Sequence, residues 1–222
     1  MKRNFFLLTL ALSALLSVPV FAQDVKPVLS ETVSAFFQAK DPTAKISESN
    51  KLDLIAKKFD KEWAASYYAG LSKIMLSYEE QDNAKKDAYL DAADDLIAAS
   101  AALTDKNNTH QQSEIEAITA MAANARIGVN PQKRWKQYGK IFEDHLEKAK
   151  ADNADNPRIY FLKGTSVFYT PKAFGGGKKR AAGYFEKAKD LFAKENHDDI
   201  LVPHWGGETN DYFLKQCEGN DD

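Results

Sequence analysis

The chain has 222 residues, with 30 Lys and Arg against 32 Asp and Glu and a net charge of −2. The two signs are interspersed, which leaves no broad surface for nucleic acid or another polyanion. Cys217 is the single cysteine, so no internal disulfide can form and the fold must stand on packing alone.

The first residues carry the pattern of an export signal. Lys2 and Arg3 form a basic start, Phe5 to Leu16 an apolar stretch, and Val20-Phe21-Ala22 a small-residue cleavage site. The apolar stretch is too short, and too soon followed by Pro19, to span a membrane. Cleavage after Ala22 leaves 200 of the 222 residues, with no other long apolar run and so no integral membrane segment. A chain of that size buries about 70% of its unfolded surface, enough for one core. The expected organisation is a signal peptide at 1–22, one domain at 23–216 and an acidic tail at 217–222. The expected location is the periplasm of a Gram-negative bacterium, or outside the cell.

Past the leader, apolar residues recur at spacings of three and four, the helical period, and alternating strand patterns are almost absent. Leu29 to Phe37 and Leu52 to Phe59 read as two helices. Trp63, Tyr67, Leu71, Ile74 and Tyr78 mark a third, and Tyr89, Ala93, Leu96, Ile97 and Leu103 a fourth. The polar run Asp105 to Gln112 reads as a loop, with Ser113-x-x-Glu116 as a capping box for the next helix, through Ile115, Ile118, Met121 and Ala125. Asn130-Pro131 opens a helix along Trp135, Tyr138, Phe142, Leu146 and Ala149; Asn156-Pro157 opens one to Phe168, and Ala181 to Phe192 forms the last. The fold class is all-α, about eight helices in antiparallel pairs.

Within the last pair, Ala181, Phe185 and Ala188 set a small, a large and a small residue four and three apart, facing a helix with Tyr160 and Gly164. On these residues, with Asn156-Pro157, Leu162 and Phe168, the segment resembles a tetratricopeptide repeat. Phe142, Leu146 and Ala149, and Ala92, Leu96 and Ala99, keep the same spacing as degenerate, lengthened repeats. The resemblance covers roughly residues 62–195. It implies a short solenoid of stacked helix pairs that binds a partner rather than catalyses a reaction.

The turn between the last two helices carries Phe174, Gly175, Gly176, Gly177, Lys178, Lys179 and Arg180. It is not a nucleotide loop. A Walker A motif needs a preceding strand, a Gly five residues before Gly177 where Lys172 stands, and a hydroxyl after Lys178 where Lys179 stands. The glycines fit a lengthened turn with Phe174 packed back as an anchor. Their N–H groups and the three basic residues also suit a small anionic ligand at a helix start.

Elsewhere the candidates for chemistry are sparse. His197-Asp198-Asp199 and His204-x-x-x-Glu208 lie near one another, but neither has the spacing that places two imidazoles on one helical face, so no metal site is assigned. His145 sits on an apolar stripe as a packing residue, and His110 reads as exposed. No nucleophile elbow is present, Cys217 has nothing to lower its pKa, and no cofactor or catalytic residue is assigned. Trp205, with Gly206 and Gly207, is expected to cap the open end of the stack; alternatively His204 and Trp205 would line a ligand pocket with Phe174.

The expected function is a non-enzymatic exported scaffold that binds an envelope protein or peptide on the concave face of its first helices. The alternative is a small-ligand binder, similar to the repeat-containing component of tripartite periplasmic uptake systems, a likeness carried by the glycine-rich turn before Ala181 and Phe185.

Overall fold

The computed structural model describes residues 24–218; the predicted signal peptide at 1–22 and residues 219–222 of the acidic tail lie outside them. Among the described residues there are nine α-helices and no strand: α1 (Val25–Gln38), α2 (Pro42–Lys58), α3 (Trp63–Glu79), α4 (Asn83–Leu103), α5 (Thr109–Val129), α6 (Pro131–Asp152), α7 (Pro157–Tyr169), α8 (Lys178–Phe192) and α9 (Gly207–Cys217). A single 3₁₀ turn, Lys172–Phe174, precedes α8.

The helix starts follow from local chemistry. Asp24, Asp41, Glu62, Asp82, Asn108, Asn130 and Asn156 each accept a hydrogen bond from a backbone N–H at the start of α1 to α7. Asn130-Pro131 and Asn156-Pro157 cap as the sequence predicts. The capping box at Ser113 does not form, because Asn108 starts α5 earlier and shortens the predicted loop. Ser113 lies buried in the helix, where its hydroxyl donates to the Ala149 carbonyl at 2.8 Å and accepts from the Asn156 amide at 3.0 Å.

The helices pack in successive antiparallel pairs, α1 with α2, α3 with α4, α5 with α6 and α7 with α8. The first helices of the pairs also touch in order, α1 to α3, α3 to α5 and α5 to α7. This is a stack of helix pairs. Its last pair is closed by α9, which the sequence reading missed. There Phe213 stacks on Phe185 (centroids 5.4 Å apart), meets Phe168 edge-on at 5.1 Å, and Asn210 donates to the Phe185 carbonyl at 2.9 Å. The terminal cap assigned to Trp205 is therefore made by α9. Trp205 instead points back into the stack and donates its indole N–H to the Tyr67 hydroxyl on α3 at 2.8 Å.

Between α3, α5 and α7 lies a buried polar cluster. Arg158 and Glu114 are both fully buried and 3.1 Å apart. Arg158 also reaches Glu195 at 2.7 Å and donates to the Pro203 carbonyl at 2.7 Å, while Tyr67 donates to Glu114 at 2.8 Å. Burial raises the Glu114 carboxyl above the ordinary carboxylate range, with Arg158 and the Tyr67 hydrogen bond opposing. Burial would lower Arg158, but Glu114, Tyr67 and Glu195 outweigh it and hold the guanidinium more firmly charged than usual. Lys26 on α1 pairs with Asp199 at 3.0 Å. The segment from Glu195 to Gly206 is thus tied to α1, α3 and α7, all first helices of their pairs.

In the last pair the helices approach closely at a glycine. A Cβ placed on Gly164 of α7 would stand 2.7 Å from the Phe185 ring, whereas one on Gly183 of α8 meets nothing within 4 Å. Phe185 cannot swing aside, being packed against Phe168 and Phe213. Ala at either position gains up to about 1 kcal/mol in helix propensity. At position 164 overpacking against the fixed Phe185 ring costs roughly 1–3 kcal/mol, which outweighs that gain. Urea denaturation should therefore show Gly164→Ala less stable than the parent and Gly183→Ala more stable; equal midpoints for the two would refute this packing.

Candidate functional site

The residues singled out from the sequence fall in two separate places. Phe174 to Arg180 form the α7–α8 turn. Trp205 packs beside Arg158 and Phe161 near the start of α7 (5.2 Å and 6.3 Å to the indole centroid). The turn lies at the other end of that helix, roughly 15 Å away at 1.5 Å per residue. Phe174 therefore shares no pocket with His204 and Trp205.

The turn is held by its own backbone. Gly175 and Gly177 have φ of 88° and 102°, which side chains disfavour, and a Cβ on Gly176 would meet the Thr170 carbonyl oxygen at 2.0 Å. Gly175 N–H donates to Lys172 O, Gly176 N–H to Pro171 O and Gly177 N–H to Val167 O at 3.0, 3.2 and 2.9 Å. Arg180 donates to the Gly175 carbonyl at 2.8 Å. With all three glycine N–H groups spent inside the turn, what it offers an anion is the uncapped start of α8 with the side chains of Lys178 and Lys179. Phe174 is 80% exposed and anchors nothing, contrary to expectation, because the 3₁₀ turn that carries it swings the ring outward.

Trp205 is buried in the core, with Arg158 over its ring. His204, half-buried beside it, lies with Nδ1 3.1 Å from the Val202 carbonyl. His110 is half-buried and bonded to Asn153 at 3.1 Å rather than exposed, and His145 pairs with Glu116 at 2.5 Å.

A cavity that the sequence did not reveal opens between α4 and α6, the second helices of neighbouring pairs, with α5 as its floor. It has a volume of about 360 Å³. Ile97, Ala98 and Ala101 of α4 form one wall, and Tyr138 and Ile141 of α6 the other. Ile115, Thr119 and Ala123 make the floor. Helical spacing puts these residues on facing surfaces, and the small side chains at 98, 101, 119 and 123 leave the space unfilled. The only sequence signal was that row of small residues between larger ones.

One end of this groove is charged. Arg126 meets Asp91 at 2.8 Å and Asp94 at 2.5 Å, while Arg134 grips both oxygens of Asp87 at 2.6 and 2.8 Å. Both guanidinium groups lie about 6 Å from the centre of the Tyr138 ring, 5.9 and 6.0 Å respectively. Burial lowers Arg126, but Asp94 and Asp91 outweigh it and the net shift is upward. The Arg134 hydrogen bonds hold Asp87 below the usual carboxylate value.

A second cavity, about 380 Å³, is lined by charged and apolar residues together. It lies at the loop edge of the stack among His110, Asn153, Lys194, Glu195 and Asp199, with Pro157, Leu191 and Val202 as its apolar part. Its mixed charges suit water and small polar solutes, whereas the α4–α6 groove suits a flat apolar body.

The salt bridge at Asp87 fixes a pH dependence. Its carboxyl is depressed in the folded protein relative to 3.8. The stability it adds is thus complete above about pH 4 and lost as pH falls through the lowered folded value. A carboxyl-detected NMR titration should place the Asp87 midpoint below 3.8, and Arg134→Met should bring it back up. An unchanged midpoint in that variant would contradict the assignment.

No protein-family model matches the chain, and no curated protein does. A solved structure does. The HusA haemophore from Porphyromonas gingivalis superposes with a TM-score of 0.73 at 31% sequence identity, covering 86% of this chain and 92% of that one.

Proposed function

This chain belongs to the family of the HusA haemophore, and on that premise we propose that it is a non-enzymatic carrier of haem or a related tetrapyrrole, exported by its N-terminal leader to the periplasm or beyond the cell. The observation that carries the reading is the 31% identity sustained over 86% of the chain. The scaffold is a tetratricopeptide-like stack, supported by the Gly164–Phe185 approach and by buried Ala181 and Ala188.

The α4–α6 groove is the proposed binding site. A tetrapyrrole is a broad, flat, largely apolar ring with carboxylates along one edge. Ile97, Ile115 and Ile141 offer apolar surface, and Ala98, Ala101 and Ala123 leave the thickness that a planar ring needs. A volume of about 360 Å³ lies within the usual range for small-molecule sites, about 300–1,000 Å³. Asp87, Asp91 and Asp94 outnumber Arg126 and Arg134 at the charged end, so the ligand's carboxylates would point away from it.

The small-ligand reading is favoured over the peptide scaffold by one observation. A peptide laid along the first helices would have to displace the segment from Glu195 to Gly206, which is held there by Arg158, Tyr67 and Lys26.

Absorbance titration of the protein with haemin tests the reading. We expect saturable binding near one haem per chain. Ala98→Trp and Thr119→Trp, at groove positions open to solvent or half-buried, should each weaken it at least tenfold with helical circular dichroism unchanged. Full affinity in both variants would exclude this groove, and no saturable binding by the parent would exclude the carrier function.

A further inference from the structure

The segment that covers the first helices carries a pair of imidazoles the tetrapyrrole reading does not use. His197 and His204 stand with ring centroids 5.1 Å apart and planes inclined by 38°. The backbone between them is fixed by a series of tight turns. Asp198 N–H donates to the Asn196 side chain at 2.8 Å, Leu201 N–H to the Asp199 carboxylate at 3.0 Å, and Val202 N–H to the Asp199 carbonyl at 2.9 Å. Lys26 holds that same Asp199 from α1. The two rings are therefore brought together by an ordered loop rather than by chance extension of a tail.

The protonation of one ring follows from its partner. A carbonyl oxygen can only accept, so at 3.1 Å from Val202 O the His204 Nδ1 carries the hydrogen. The neutral ring then keeps its lone pair on Nε2. A backbone carbonyl bound to the far nitrogen is the arrangement that orients metal-ligating imidazoles in general. His197 is exposed and makes no hydrogen bond among the described residues, so its ring nitrogens are open to a ligand. His110 and His145, by contrast, are engaged with Asn153 and Glu116.

We propose that His197 and His204 together form a site for a borderline divalent cation such as Zn²⁺. With a metal–nitrogen distance of about 2.0–2.1 Å, a cation bound by a nitrogen of each ring would lie about 3.2 Å from each ring centre, and the 5.1 Å separation would then allow an angle of about 105° at the metal, near the tetrahedral value. Among the described residues no third His, Cys, Asp or Glu completes a ready-made set of three, so solvent fills the remaining positions and the site stays open. A bound cation would cross-link the two ends of the loop and fasten it over α1, α3 and α7. This site is on the opposite side of the helix pairs from the α4–α6 groove, and its existence does not depend on that groove's ligand.

Calorimetric titration of the protein with Zn²⁺ tests the site, read together with a thermal melt. One Zn²⁺ should bind per chain. His197→Gln and His204→Gln should each weaken binding at least tenfold. Zinc should raise the melting temperature of the parent but not of the double variant. Zinc binding that persists in the double variant, including binding through Cys217, would overturn the proposal, as would a parent that binds no zinc.

Discussion

Arg158 and Glu114 sit wholly out of water 3.1 Å apart, and what covers the first helices follows from how those two charges are satisfied. Each ion removed from water carries a penalty of several kcal/mol, repaid only when close pairing is joined by further hydrogen bonds. Here the partners come from four parts of the chain. Trp205 donates to Tyr67, Tyr67 donates to Glu114, and Arg158 bridges Glu114, Glu195 and the Pro203 carbonyl. Three of these contacts, those of Glu195, Pro203 and Trp205, belong to the segment after α8. That segment cannot leave without stripping Arg158 of Glu195 and of the Pro203 carbonyl, and breaking a buried ion pair costs on the order of 3–5 kcal/mol. The cluster is costly as a source of stability, but it is directional, and it fixes one path for the C-terminal segment.

That path decides which surface is available for binding. A helix-pair stack ordinarily presents its first helices to a partner. In this chain the indole of Trp205 and the loop before it occupy that face between α3 and α7. The space left open is on the other side, where α4 and α6 stand apart over α5 and small side chains leave a slot. The salt-bridged end of the slot is equally structural. Arg126 and Arg134 link α5 and α6 to the aspartates of α4 and hold the walls at their separation. Shape and charge thus come from residues that also keep the pairs in register.

Much of the framework was legible in the sequence, because its causes are local. The three-and-four spacing of Tyr67, Leu71 and Ile74, and of Phe142, Leu146 and Ala149, marks helix faces that are buried in the structure. Asn130-Pro131 and Asn156-Pro157 cap their helices through neighbours one to three residues away. Ser113 misled because two polar residues could start α5 and the earlier, Asn108, does so. What could not be read depends on distant partners. Arg158 and Glu114 are 44 residues apart, and Trp205 and Tyr67 are 138 apart. No local pattern announces such pairs. The groove is harder still, since it is set by the separation of α4 and α6 and not by any motif. The glycine turn was prominent in the sequence for a backbone reason, its positive φ values and the crowding at Gly176.

The central claim is that the ligand enters between α4 and α6 because the first-helix face is already filled. Methyl- and indole-detected NMR during titration with a diamagnetic metalloporphyrin tests it most directly. Ring-current shifts should appear at Ile97, Ile115 and Ile141, while the Trp205 indole N–H, bound to Tyr67, stays in place. Large shifts at Trp205 with the three isoleucines unmoved would contradict the account and return the binding site to the first helices.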